Sequence, residues 1–413
     1  MIELISTYLM PNAYCLMPYN KRSITVMYKI QTLNSISPII HEVLSAGQYT
    51  VSAEEPTPDA ILVRSAAMHD MALPDSLLAI ARAGAGVNNI PIQKCSEQGI
   101  VVFNTPGANA NAVAELVIAG LLLSSRDIAG GIAWVKENKD AEGLEKLVEK
   151  KKSQFVGPEL RGKKLAVIGL GAIGALVANA AARGMGMNVV GYDPYISVQH
   201  AWQLSTSIHK ADTMEAAVKD ADYITFHIPL MDSTRGTINK AFISSLKPGV
   251  RIMNFSRGEL AVPEDVKEAI AEGQLAGYVT DFACNALADT PHVVCLPHLG
   301  ASTPESEERC AEMAASEIKD YLERGVIRNS VNMPEIQLGI PEGIRVVVIH
   351  RNLPGIVSNV STLISGRGIN IQNMLNKSKG DMAVSVLELS QQPDDTLIAA
   401  LGKLNNVLRV RMV

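Results

Sequence analysis

The sequence predicts an α/β protein with two parallel-sheet domains and a small third module. Three observations predict it. Short β-like runs alternate with helical runs in two separate stretches, a glycine-rich turn joins strand to helix in the second, and the C-terminal segment reads βαββαβ. A chain of 413 residues holds two or three domains of ordinary size. Hydrophobic residues make up 47% and charged residues 19%, so a large buried core is expected and general disorder is not.

Residues 1–26 carry Glu3 and prolines at 11 and 18 without a basic start. They read as a loose extension, not as a signal peptide, and Met27 is an alternative start. From Met27 the runs Tyr28–Leu33, Ala60–Val63, Leu78–Ala81 and Val101–Phe103 are expected strands, with helices over Ile36–Ala46 and Ile92–Gln98. A long helix is expected from Asn111 to Arg126. Residues 136–153 are rich in Lys and Glu and read as a solvated face. The second block begins at Lys164, with strands at Leu165–Ile168, Val189–Tyr192, Tyr223–His227, Arg251–Phe255, Gly277–Val279 and Val293–Leu296. Pro304–Glu323 is a further long helix. Val326–Glu342, with Pro334, Gly339 and Pro341, reads as a linker. The module after it has strands at Arg345–His350, Ile369–Asn376, Ala383–Leu389 and Val407–Met412, and helices at Gly355–Gly366 and Asp394–Leu404. That order is the ferredoxin-like arrangement.

Gly169-Leu170-Gly171-Ala172-Ile173-Gly174 is a G-x-G-x-x-G in the context that gives the motif meaning. An apolar strand precedes it, an alanine-rich helix follows, and the next strand ends in Asp193, 19 residues after Gly174. Gly169 suits a tight turn, Gly171 a close approach to a diphosphate, and Gly174 close helix-on-strand packing. The free N–H groups of Ala172 and Ile173 open the helix toward an anion. Asp193 accepts hydrogen bonds from ribose hydroxyls and repels a 2′-phosphate, so the expected cofactor is NAD and not NADP.

Removing a hydride from an alcohol requires a base for the hydroxyl proton and a positive group at the forming carbonyl. Two side chains follow strands of this block: Arg257 in NFSRG and His298 in LPHLGAST. A guanidinium forks onto a carboxylate, and an imidazole exchanges protons near neutral pH.

Together GLGAIG, NFSRGEL, the Asp281-Phe282 pair after AGYVT, and PHLGAST resemble the D-2-hydroxyacid dehydrogenase family, and the match runs from Met27 to about Asn332. The resemblance implies two Rossmann-like domains, a split substrate domain (27–125 and 301–332) and an NAD domain (126–300), followed by a ferredoxin-like ACT domain (343–413). It implies that Arg257 and His298 are catalytic, that Arg64, Ser65 and Asn109 bind substrate, that Gly84–Asn89 closes on it, and that Asp281 meets the nicotinamide carboxamide. With the ACT-like tail, it implies oxidation of 3-phosphoglycerate to 3-phosphohydroxypyruvate, the first step of serine synthesis. The alternatives are a hydroxypyruvate or glyoxylate reductase, or an NAD(H)-sensing binding protein. His350, Asn352 and Asn370 match positions that hold L-serine in serine-inhibited relatives.

Two departures stand out. The family pattern D-V-F-x-x-E-P puts a glutamate beside the catalytic histidine, and here that position is Ala286. Ala66 replaces a further arginine expected for the 3-phosphate. Lys151 or Lys152 is the expected substitute. The five cysteines are scattered without zinc-ligand spacing, which fits a reducing cytoplasm and no metal. No membrane span is expected. A formal net charge of -5 argues against nucleic-acid binding. The expected partners are the small-molecule substrate, serine, and further copies in a homodimer or homotetramer.

Overall fold

The computed structural model describes residues 27–341 and 343–413, so the extension expected over 1–26 lies outside the described residues. Five parallel strands form the first sheet: β1 (Tyr28–Leu33), β2 (Tyr49–Ser52), β3 (Ala60–Val63), β4 (Ala79–Arg82) and β5 (Val101–Asn104), in the order β2-β1-β3-β4-β5. Seven parallel strands form the second: β6 (Lys164–Ile168), β7 (Asn188–Tyr192), β8 (His209–Lys210), β9 (Tyr223–Phe226), β10 (Val250–Asn254), β11 (Leu275–Thr280) and β12 (Val293–Cys295), in the order β12-β11-β10-β9-β6-β7-β8. The chain reverses direction across this sheet between β6 and β9. A crevice opens at such a point, at the carboxyl ends of the strands.

Local chemistry accounts for the departures from expectation. The helix expected over Ile36–Ala46 is confined to Ile40–Val43. A proline at 38 disfavours helical backbone at Ser37, and Leu44 leaves the helix in a non-helical conformation. β2 was not expected. Its alternation of buried Tyr49, exposed Thr50 and half-buried Val51 places it at the sheet edge. β4 starts and ends one residue later than expected, which puts Arg82 at its carboxyl end.

The Ala110–Ser125 helix packs Val113, Ala114, Val117 and Leu121 against Val167, Val177 and Ala178. It therefore lies with the second sheet, whereas a boundary at 125 assigns it to the first. The Pro304–Arg324 helix returns to the first sheet. Its Ala311, Ala314, Ile318 and Tyr321 share a core with Ile30, Leu62, Ala81 and Phe103. Thr303 caps its start by accepting from Ser306 N, and left-handed Gly325 ends it.

The third sheet is antiparallel: β13 (Ile344–Arg351), β14 (Ile371–Lys379), β15 (Met382–Leu389) and β16 (Val407–Met412), in the order β14-β15-β13-β16. Helices Ile356–Ser365 and Asp395–Gly402 cover the face of Val346, Val348 and Leu387. The opposite face, Val347, Ile349, Val384 and Val386, packs into the first core beside Tyr321 and Leu322. Two-sided burial explains why Val346–Ile349 is continuously apolar instead of alternating. Three arginines fix the docking. Arg345, only 1% exposed, donates to Glu388 at 2.5 Å and to the Arg324 carbonyl at 2.6 Å. Arg409 donates to the carbonyls of Asp75 and Gln98. Arg411 donates to those of Tyr321 and Leu322 and lies 4.2 Å from the Tyr321 ring centre.

Glu317 is buried in the long helix, with Asn329 donating to one carboxylate oxygen at 2.7 Å and no partner on the other among the described residues. Burial pushes its pKa up to about 8. In the unfolded chain it titrates at the ordinary carboxylate value, so the unfolded state releases its proton first. Stability from this residue is therefore full below about pH 4.5 and lost as pH rises toward 8. Glu317→Gln is expected to flatten that decline. Thermal melting between pH 5 and pH 8.5 tests it, and a variant that falls as steeply as the parent refutes it.

Candidate active site

In the second sheet, β6 to β12 run parallel, so the residues that follow them collect at one edge. After β6, Gly169 takes φ +92°, and a Cβ there would meet the His227 carbonyl oxygen at 2.4 Å. A Cβ on Gly174 would meet the Gly169 oxygen at 1.9 Å. Each glycine is thus demanded by backbone contact. A Cβ on Gly171 would meet nothing within 4 Å, so its outer face is open to a diphosphate. Gly171 precedes the Ala172–Asn179 helix with no side chain capping it, so the first helical N–H groups stay available. After β7, Asp193 accepts from Leu170 N at 2.9 Å and from Tyr195 N at 2.8 Å, which ties this acid to the glycine turn. These residues fit a dinucleotide.

Arg257 follows β10. Its turn is locked from below: Asn254 donates to the Arg257 carbonyl at 2.9 Å, and Ser256 Oγ donates to the Phe226 carbonyl at 2.6 Å. The guanidinium itself is exposed. His298 follows β12 and is exposed, its ring 4.9 Å from that of Phe282 at an angle of 58°. Asp281 follows β11 and is 3% exposed. Burial raises its pKa, while the charge of His298, the Gly300 N–H and the charge of Arg257 oppose the rise. Its Oδ1 has no partner among the described residues. The turn holding Ala286 brings no carboxylate from that position; Asp281 instead feels the charge of His298, and Glu259 lines the same cleft.

Across the crevice, the carboxyl edge of the first sheet contributes a second set. A cleft of about 1260 Å³ is lined by Arg82, Asn109 and the 85–88 loop on one side and by Arg257 and His298 on the other. A smaller cavity of about 120 Å³ adjoins it, and Arg82 and Asn109 line both. Arg82, half-buried, donates from Nε to the Arg64 carbonyl at 3.0 Å. A Cβ on Gly84 would lie 1.9 Å from Arg82 Nη1, so Gly84 is what makes room for the guanidinium. Burial lowers the Arg82 pKa, and the charges of Arg64 and Arg257 lower it further. Three arginines thus face one another's fields across the site. Sequence reasoning missed Arg82. The available signal was an arginine directly before the glycines of RAGAG.

The structure does not gather every expected residue. Arg64 lines the smaller cavity, paired with Glu307 at 2.6 Å. Ser65 lines neither cavity, and its N–H donates to Asn34. Lys152 lies elsewhere. It pairs with Glu149 at 2.5 Å beside Trp134 and Phe155 and lines neither cavity, because its helix packs on the Ile128–Glu137 helix side of the molecule. In the third sheet His350 is buried, its Nδ1 donating to the Arg351 carbonyl at 2.8 Å and its Nε2 2.9 Å from Ser385 Oγ. Asn352 donates to the Gly380 carbonyl at the same end. Asn370 precedes β14 at the opposite end, where Ile371 and Ile344 both pair with Leu389. Six residues of strand separate the two ends, roughly 20 Å, so one chain does not bring the three side chains together. Among the described residues no cluster of three potential metal ligands occurs, and no single helix is long and apolar enough to cross a membrane.

Comparison with known proteins agrees with this architecture. Residues 118–300 match the D-isomer-specific 2-hydroxyacid dehydrogenase NAD-binding domain, and residues 346–409 match the acetohydroxyacid synthase small subunit-like ACT domain. D-3-phosphoglycerate dehydrogenase of Synechocystis is 34% identical over 366 residues, which cover 86% of this chain. The chain spans 62% of that relative's length and 49% of the homologous enzyme of Methanocaldococcus jannaschii. Among solved structures, the NAD+-bound 3-phosphoglycerate dehydrogenase of Entamoeba histolytica is 26% identical with a TM-score of 0.56, covering 74% of this chain and 99% of its own. D-mandelate dehydrogenase of Rhodotorula graminis shares the fold with a TM-score of 0.64 at 21% identity, covering 76% of this chain and 100% of its own. The chain carries the NAD-binding domain of the D-isomer-specific 2-hydroxyacid dehydrogenases, joined to a C-terminal ACT domain.

Proposed function

We propose that this chain is an NAD-dependent dehydrogenase that oxidises the 2-hydroxyl of 3-phosphoglycerate to the ketone, the first step of serine synthesis. One observation carries the reading: Arg257 and His298 face Arg82 across one cleft, with Arg64 in the adjoining cavity. A substrate with one anionic group needs one such arginine. A substrate with a carboxylate at one end and a phosphate at the other uses the set. Arg82 takes the role that sequence reasoning assigned to Lys151 or Lys152, neither of which lines the cleft or the adjoining cavity.

The division of labour follows from position. Arg257 forks onto the carboxylate and stabilises the oxygen as it becomes a carbonyl. His298 takes the hydroxyl proton. Bound NAD supplies the hydride acceptor. Arg82 and Arg64 hold the phosphate and so fix the distance of the reacting carbon from the imidazole. Asp281, charged, favours the imidazolium that forms. Asp281→Asn is therefore expected to move the acid limb of the kcat/KM profile for oxidation down by about one unit. A limb that stays in place or rises refutes the role.

Serine regulation belongs to the same reading. Asn352 lies at one end of the ACT sheet and Asn370 at the other, so on this reading the effector site takes its Asn370 from a second copy.

The test is NADH formation with D-hydroxy acids presented with and without a 3-phosphate. The expected result is a kcat/KM for 3-phosphoglycerate above that for D-glycerate by at least about 100-fold. Equal values would sink the assignment.

A further inference from the structure

Arg64 is not free. Glu307, in the first turn of the Pro304–Arg324 helix, meets its Nη2 at 2.6 Å, and the two side chains are 37% and 41% exposed. Both line the small cavity beside the cleft, with Arg82, Asn109 and Ser306. Ser306 is fully buried, and its Oγ has no hydrogen-bond partner among the described residues. An unpartnered hydroxyl, two guanidinium groups and one carboxylate therefore surround a volume of about 120 Å³. The hydroxyl and the cations suit an oxyanion, and the carboxylate occupies one of the cations.

We propose that Glu307 is a specificity residue: its carboxylate holds the anion position at Arg64 and yields it only to a dianion. The inference rests on the reading of this cavity as the subsite for the substrate's distal phosphate. The physical basis is charge. A phosphate monoester carries about -1.5 to -2 at neutral pH against -1 for a carboxylate, and it presents three acceptor oxygens. It outcompetes Glu307 for Arg64 and also reaches Arg82 and the Ser306 hydroxyl. A hydroxyl or a monoanion at the same place gains too little to displace the internal pair. Glu307 thereby sets a charge threshold at this position: a monoanion there gains too little to displace it, while a substrate with a neutral distal hydroxyl does not engage Arg64 and is left unaffected. The helix N-terminus keeps the displaced carboxylate stable nearby, so displacement does not unfold the turn.

Glu307→Gln keeps the shape and removes the competing charge. The expected result is a KM for 3-phosphoglycerate roughly three- to tenfold lower, the scale of a half-exposed ion pair, with kcat within about twofold. The kcat/KM for D-glycerate is expected to stay unchanged. In an Arg64→Ala background the same substitution is expected to change neither value, because the partner is gone. Thermal-shift titration with inorganic phosphate gives a second readout without turnover: Glu307→Gln is expected to bind phosphate tighter by the same factor. An unchanged or raised KM, an equal gain for D-glycerate, a gain that persists without Arg64, or an unchanged phosphate titration overturns the proposal. A parent protein that shows no preference for 3-phosphoglycerate over D-glycerate, yet whose Glu307→Gln variant binds inorganic phosphate tighter, would refute the substrate assignment and leave the role of Glu307 standing.

Discussion

Replacing His298 with asparagine is expected to lower kcat for 3-phosphoglycerate oxidation by about 10²- to 10⁴-fold, with the affinity for NAD unchanged. The size follows from the role: without the imidazole the hydroxyl proton has only water as acceptor. The specificity of the effect follows from the geometry. His298 sits exposed in the loop after β12, touching Phe282 by ring contact, while the glycine turn and Asp193 are held by separate backbone bonds. The substitution removes little packing, so the melting temperature is expected to stay close to that of the parent. NADH binding followed by fluorescence and steady-state turnover check both halves. A drop of less than tenfold in kcat would remove His298 from the chemistry.

Arg82→Ala is expected to raise KM for 3-phosphoglycerate roughly 30-fold to over 1000-fold, the cost of deleting one partner of a desolvated charge pair. Turnover of D-glycerate is expected to change far less, since it offers no phosphate. Arg82→Lys is expected to recover only part of the loss. A lysine is a point charge, and the planar fork packed over Gly84 is what aims the donors. Parallel loss for both substrates would mean that Arg82 supports the fold of the 84–89 loop and does not read the phosphate.

The parts of the site that were legible in the sequence are the parts specified locally. Gly169, Gly171, Gly174 and Asp193 announce themselves because one strand, one turn and one helix carry the whole device: Gly169 and Gly174 answer to backbone oxygens, of His227 and Gly169, and Gly171 leaves its outer face open. Arg257 and His298 were readable because each follows an apolar run. Arg82 was hidden by a one-residue shift of β4: at the end of that strand it looks inward, and one residue beyond it looks like a turn arginine. Its purpose emerges only when β3 and β4 lie side by side and Arg64 comes near. The acid that feels the charge of His298 was hidden in the same way. The sequence shows Ala286 where a glutamate is expected, but that Asp281 lies against the His298 loop is a fact of the neighbouring strands β11 and β12. The scattering of His350, Asn352 and Asn370 was equally invisible, since strand pairing decides which sheet end each residue occupies. Lys152 misled because a charge run offers many lysines and no local rule for choosing one.

The Pro304–Arg324 helix has a mechanical consequence. Its first turn supplies Ser306 and Glu307 to the anion cavity, and its last carbonyls are gripped by Arg345 and Arg411 of the C-terminal sheet. At 1.5 Å per residue it is a strut of roughly 30 Å with one end in each place. On the proposed function, a tilt or slide of the terminal sheet reaches the phosphate end of the substrate before the dinucleotide, so capture of the substrate, and not the hydride step, is the quantity that a distant effector would throttle.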